Sequence, residues 1–249
     1  MEDPKTCIAR MQDKLCPEDP RPKGKECFIP YRYQRPILVS MIAVDDNFRF
    51  AGYRTFRSHS PQEVVRPTWN AIRDAFCQLN INGLVTFNGK RFDLPLLETW
   101  AMRMGLSLPF WFAPPFAKVW ENPRAYSEAN PKHIDVCQYA AGSAQTGGDL
   151  HYWSRLFELP GKVDTSGSSV TALYEQESWD TIEDYCLCDC LNTLGVFMGL
   201  MSMHGGAPRA RSPEFEAVIN AVSEARRNAG TTSKELDRFW TVYNAEIPF

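Results

Sequence analysis

Leu84-Val-Thr-Phe-Asn88-Gly-Lys-Arg-Phe92-Asp93-Leu-Pro95 opens on a short apolar run, turns at Asn-Gly, and passes through two basic residues into Phe92-Asp93. Such a run reads as a short strand, and Asn-Gly as a sharp exit from it. Pro95 falls in the first turn of the next element, where a missing N–H costs nothing. Asp93 is therefore placed to cap a helix over about Leu94 to Met104. A strand that passes through a short loop directly into a helix is an α/β arrangement.

Upstream, Pro36 to Val44 is a nearly continuous apolar run rich in β-branched residues, as expected of a strand covered on both faces. Asp45-Asp46-Asn47 reads as a turn, and Phe48 to Phe56 as its hairpin partner. Ser60-Pro61-Gln62-Glu63 has capping-box spacing with Pro at the first helical position, and Trp69, Ile72, Phe76 and Leu79 recur at helical intervals, with a kink open at Pro67. Residues 1–30 carry prolines and alternating charges without apolar periodicity, and read as an irregular arm.

Downstream, Gly105 to Lys132 reads as a long loop or small insertion, and Lys132 to Cys137 as another short strand. Asp149 caps a short helix with Leu150, Trp153 and Phe157 inward, and Ser169 to Glu175 forms a helical turn or two. Trp179 to about Met203 is a long apolar-rich helix. Gly205 to Pro208 stops it, and Pro213 to Arg227 and Ser233 to Tyr243 are amphipathic helices. This gives an arm over 1–30, a main domain over 31–205 and a helical extension over 206–249.

The 249 residues carry 27 basic and 30 acidic side chains, a formal charge of −3, which excludes a polybasic binder. A polyanion would have to be held by local Lys and Arg or by metal ions. The N-terminus lacks the basic and apolar regions of a secretory signal, and Cys190 to Pro208 is too polar for a membrane span, so a cytoplasmic protein with no membrane partner is expected. Cys7, Cys16, Cys27, Cys77, Cys137, Cys186, Cys188 and Cys190 form no CxxC pair and read as small hydrophobes. Cys188 points away from Cys186 and Cys190 on a helix, which argues against a three-thiolate site.

A second stretch bears chemistry: Tyr185-Cys-Leu-Cys-Asp189-Cys-Leu-Asn192-Thr193, in which Tyr185 and Asp189 stand at i and i+4. Taken singly, Asp93 is a helix cap and Tyr185 and Asp189 a solvated helix face. Taken together, the two stretches resemble the second (N-x-x-x-F-D) and third (Y-x-x-x-D) motifs of the DEDD 3′–5′ exonucleases, in the branch marked by tyrosine. More narrowly, Pro36 to Met203 is similar to the predicted 3′–5′ exonucleases related to the exonuclease domain of B-type DNA polymerases. His133-Ile134-Asp135, Leu159-Pro160-Gly161-Lys162 and Asp184-Tyr185-Cys186 support this.

The resemblance implies a ribonuclease H-like mixed sheet flanked by helices, and hydrolysis of phosphodiester bonds at single-stranded ends of DNA, with RNA also open. It implies two Mg²⁺ or Mn²⁺ ions at ~4 Å separation on converging carboxylates. Asp93 and Asp189 would be catalytic metal ligands. Tyr185 would position the attacking water, since a phenol with pKa near ~10 is a weak base. Asn88 would contact substrate or bound water, and Phe92 would pack behind Asp93 or stack on a terminal base. Lys90, Arg91 and Lys162 would meet phosphates or lie exposed without a role, and His133 and Asp135 would support the site from behind.

The family's first motif, D-x-E on the opening strand, occurs nowhere in this chain. The expectation is therefore a fold lacking its first strand and an impaired metal site. Glu2 would be the motif's glutamate, and a third metal ligand, if translation was assigned a few codons too late. The competing expectation is a non-catalytic nucleic-acid-binding or scaffold module on the same fold.

Overall fold

The computed structural model describes residues 34–77, 83–112, 124, 132–141, 148–163, 169–231 and 234–245. The N-terminal arm with Glu2 lies outside the described residues.

β1 (Leu38–Val44) pairs antiparallel with β2 (Phe50–Arg57), with a register shift at Ala43/Val44. The turn is built by Asp45, whose carboxylate accepts the N–H groups of Asn47 (2.9 Å) and Arg49 (2.8 Å) and the Arg49 Nε (2.8 Å). β3 (Leu84–Thr86) pairs in parallel with β4 (His133–Asp135). Among the described residues these are two separate pairs, not one continuous mixed sheet.

The strands lie between two apolar cores, because successive side chains of a strand point to opposite faces. Ile42, Val44 and Val85 pack into the first core, and Val39, Met41 and Leu84 into the second. The second core holds Val65, Trp69 and Ile72 of α1 (Pro61–Cys77) against Leu94, Leu97 and Ala101 of α2 (Asp93–Arg103).

The first core surrounds the long helix. In chain order the remaining helices are α3 (Val136–Ala141), α4 (Leu150–Leu156), α5 (Val170–Glu175), α6 (Trp179–Ser202), α7 (Pro213–Asn228) and α8 (Lys234–Asn244). Leu187, Leu191 and Met198 of α6 meet Phe215, Val218 and Ile219 of α7 and Leu236, Phe239 and Tyr243 of α8. The helical extension thus shares the core of the main domain. α6 is apolar and long enough to cross a membrane by length and composition, but half of its apolar window is buried inside the protein, as in a core helix.

Several local expectations change. Asp93 is the first helical residue and not the cap: Phe92 takes that position, with no capping side chain. Ser60 and Glu63 do not form a reciprocal capping box, because Glu63 accepts from the Ser58 hydroxyl and Ser60 bonds to Gln62. Residues 105–112 form neither helix nor strand, as a loop should, yet Leu108 and Trp111 are buried in the second core and the Trp111 Nε1 donates to Glu98 at 2.7 Å. Pro67 sits inside α1 without ending it.

Candidate active site

The loop from Phe87 to Phe92 is held by one buried carboxylate. Asp135, at the end of β4, accepts the N–H of Asn88 at 2.7 Å and of Lys90 at 2.9 Å, and the N–H of Cys137 at 3.2 Å. A carboxylate filled by backbone donors is satisfied and fixed in place. Asn88 adopts a left-handed backbone (φ 58°), which asparagine tolerates better than most residues. Gly89 has no alternative, because a Cβ there would lie 2.5 Å from the Thr86 Cβ.

Behind the loop, His133 Nε2 and Thr86 Oγ1 lie 2.9 Å apart. Burial, and then the charge of Lys90, pull the His133 pKa down to about 3, so its ring is neutral. Lys90 is buried as well, its ammonium 3.4 Å from Gln138 Oε1. Arg91 and Asn88 are exposed and Phe92 is half-buried.

This loop delivers Asp93 to the start of α2, facing α6. Asp93 is on the open side of the protein yet ringed by it. Loss of water around the carboxylate, with the negative charges of Asp135 and Asp189, pushes its pKa up to about 6 against the pull of its own N–H. Asp189 is half-buried, and burial pushes it up to about 6 although the Tyr185 hydroxyl donates to it and the Lys162 charge favours its ionised form. Tyr185 is held well above the usual phenol range by burial and by Asp189.

Lys162 is brought to this place by groups that lie outside the two motif patterns. Asn192, one turn beyond Asp189, accepts the Gly161 N–H at 3.0 Å and donates to the Gly161 carbonyl at 2.9 Å. The Lys162 N–H donates to His151 Nδ1 at 3.0 Å. The sequence signal was present in Pro160-Gly161, since Gly161 has φ 65°.

The structure therefore brings together Asp93, Asp189, Tyr185 and Lys162, with Asp135 and His133 behind the loop and Arg91 and Asn88 at its surface. Asp184 turns away: with Glu183 it binds the buried Arg226 of α7. Among the described residues no group of three or more His, Cys, Asp or Glu could hold a metal ion. Burial pushes both carboxylates toward neutrality, and at Asp93 the charge of Asp189 adds to it; such a pair suits one hard divalent cation, which prefers carboxylate oxygens. As a donor set for two ions, the pair falls short.

No curated protein and no solved structure matches the chain. A family model described as a predicted 3′–5′ exonuclease related to the exonuclease domain of PolB matches residues 26–243, a span that includes α7 and most of α8. The two motifs and this match agree, and the chain belongs to that family of predicted exonucleases.

Proposed function

We propose that the protein is a metal-dependent 3′–5′ exonuclease that acts on single-stranded nucleic-acid ends in the cytoplasm. The observation that carries the reading is the placement of the two motif carboxylates, Asp93 at the start of α2 on the loop that Asp135 holds and Asp189 on α6 one turn from Tyr185, close enough that the Asp189 charge acts on Asp93. Asp93 and Asp189 would hold Mg²⁺ or Mn²⁺, which supplies charge neutralisation at the phosphate and an acidified water. Tyr185 keeps its proton at any working pH, so it orients neighbouring oxygens as a donor and does not act as a base. Lys162 and Arg91 would meet phosphate oxygens, whereas the buried Lys90 ammonium reaches Gln138 of α3.

We further read the fold as ribonuclease H-like, with its first strand not among the described residues. What supports this is the arrangement of the two strand pairs, an antiparallel and a parallel one, both against α6, as would remain if a central strand were taken out. That strand would carry the D-x-E motif absent from the sequence. The short donor set favours the second reading, a nucleic-acid-binding module without catalysis.

Polarity tests the first reading. A single-stranded DNA labelled at its 5′ end is expected to yield a ladder of shortened products with Mn²⁺, and a phosphorothioate at the last 3′ linkage is expected to stop it. Release of the label as a mononucleotide would refute the 3′–5′ assignment.

A further inference from the structure

Asn192 is completely buried, yet it is polar and lies on the face of α6 that carries Tyr185 and Asp189. Its amide is occupied by the backbone of a single residue, Gly161, through one donated and one accepted hydrogen bond. The same loop is seated on α6 at two more points. A Cβ at Gly195 would lie 2.6 Å from Leu159 Cδ1, and one at Gly199 would lie 2.5 Å from Phe157 Cδ1. From the other side, a Cβ at Gly161 would lie 2.5 Å from His151 Nδ1, the atom that accepts the Lys162 N–H. The loop 157–162 is thus fixed by three α6 positions and by α4.

What this fixation presents is Lys162, exposed, with its positive charge beside Asp189. A buried side-chain amide with its backbone partners costs more to lose than a surface contact, so a loop needed only to connect α4 to α5 would have no use for one. We propose that Asn192 is a positioning residue that locks the Leu159–Lys162 loop so that the Lys162 ammonium takes a phosphate of the single strand next to Asp189. This rests on the nucleic-acid reading of the site and adds the part of it that grips the backbone.

The test is binding, not turnover. A labelled single-stranded oligonucleotide is titrated by fluorescence anisotropy in Ca²⁺ at several salt concentrations. Lys162→Met is expected to weaken binding about tenfold and to flatten the slope of log K against log salt by about 0.7, the value of one phosphate contact on a single strand. Asn192→Ala, which removes no charge, is expected to flatten the slope equally, and the double variant to be no worse than either single one. Gly161→Val pushes the loop from the His151 side and gives the same readout should Asn192→Ala fail to melt cooperatively. An unchanged slope in Asn192→Ala and Gly161→Val would overturn the proposal, as would a Lys162→Met that binds like the wild type. Absence of any binding by the wild-type chain overturns it together with the nucleic-acid reading. Binding without cleavage in Mg²⁺ removes only the exonuclease activity and leaves the loop's role to be decided by the slope.

Discussion

Asp93 and Asp189 have folded-state pKa values of about 6 against an ordinary 3.8, so the fold prefers them protonated. The stability this contributes is fully present below about pH 3.8 and is lost as pH rises through about 6. Above that, the metal-free protein carries two ionised carboxylates at a cost that a cation offsets. Asp93→Asn is therefore expected to stabilise the metal-free protein at pH 8 by about 1 kcal/mol, after allowance for a side chain that solvent reaches. It should do so far less at pH 4, in thermal melts with chelator present. His133 runs the other way. Its folded pKa of about 3 lies below 6.5, so its contribution is present above pH 6.5 and is lost as pH falls toward 3. At pH 5 the loss is about 2 kcal/mol. Urea unfolding at pH 7.5 and pH 5 should show the wild type losing that much more than His133→Asn, and equal losses would contradict a neutral buried ring.

α6 is the element that joins the site to the core. One side carries Tyr185, Asp189 and Asn192; another carries Glu183 and Asp184, held by Arg226. Arg226→Met removes the buried cation that Glu183 and Asp184 share, leaves Glu183 its pair with the half-exposed Arg57 at 3.2 Å, and is expected to cost about 3 kcal/mol, read by chemical denaturation. Gly199→Ala forces the new methyl group onto the Phe157 ring and is expected to cost about 1–3 kcal/mol. Tyr185 and Asp189 were legible in the sequence because the i, i+4 spacing is local. The Arg226 pair and the Asn192–Gly161 pair were not, since each joins residues distant along the chain and neither leaves a periodic trace. The sequence places Asp93 as the cap of α2, whereas it is the first helical residue, because the loop held by Asp135 sets where α2 begins.

Across the protein as a whole, α7 and α8 contribute Phe215, Val218, Ile219, Leu236, Phe239 and Tyr243 to the core around α6. A chain ending at residue 205 would expose that face and is expected to lose cooperative melting, whereas an independent extension would leave the melt intact. The strand–turn–helix alternation around Leu84 and the apolar run at Pro36 to Val44 were enough to read an α/β protein. They did not show that Trp111 closes the second core, because a proline-rich aromatic segment has no period by which to read its burial. Whether Asp93 and Asp189 form a metal-dependent nuclease site is decided by hydrolysis of 5′-labelled single-stranded DNA by the purified chain in Mg²⁺ or Mn²⁺. Shortening from the 3′ end is expected, stopped by chelator and absent in both Asp93→Ala and Asp189→Ala; undiminished cleavage in the two variants, or none in the wild type, would contradict it.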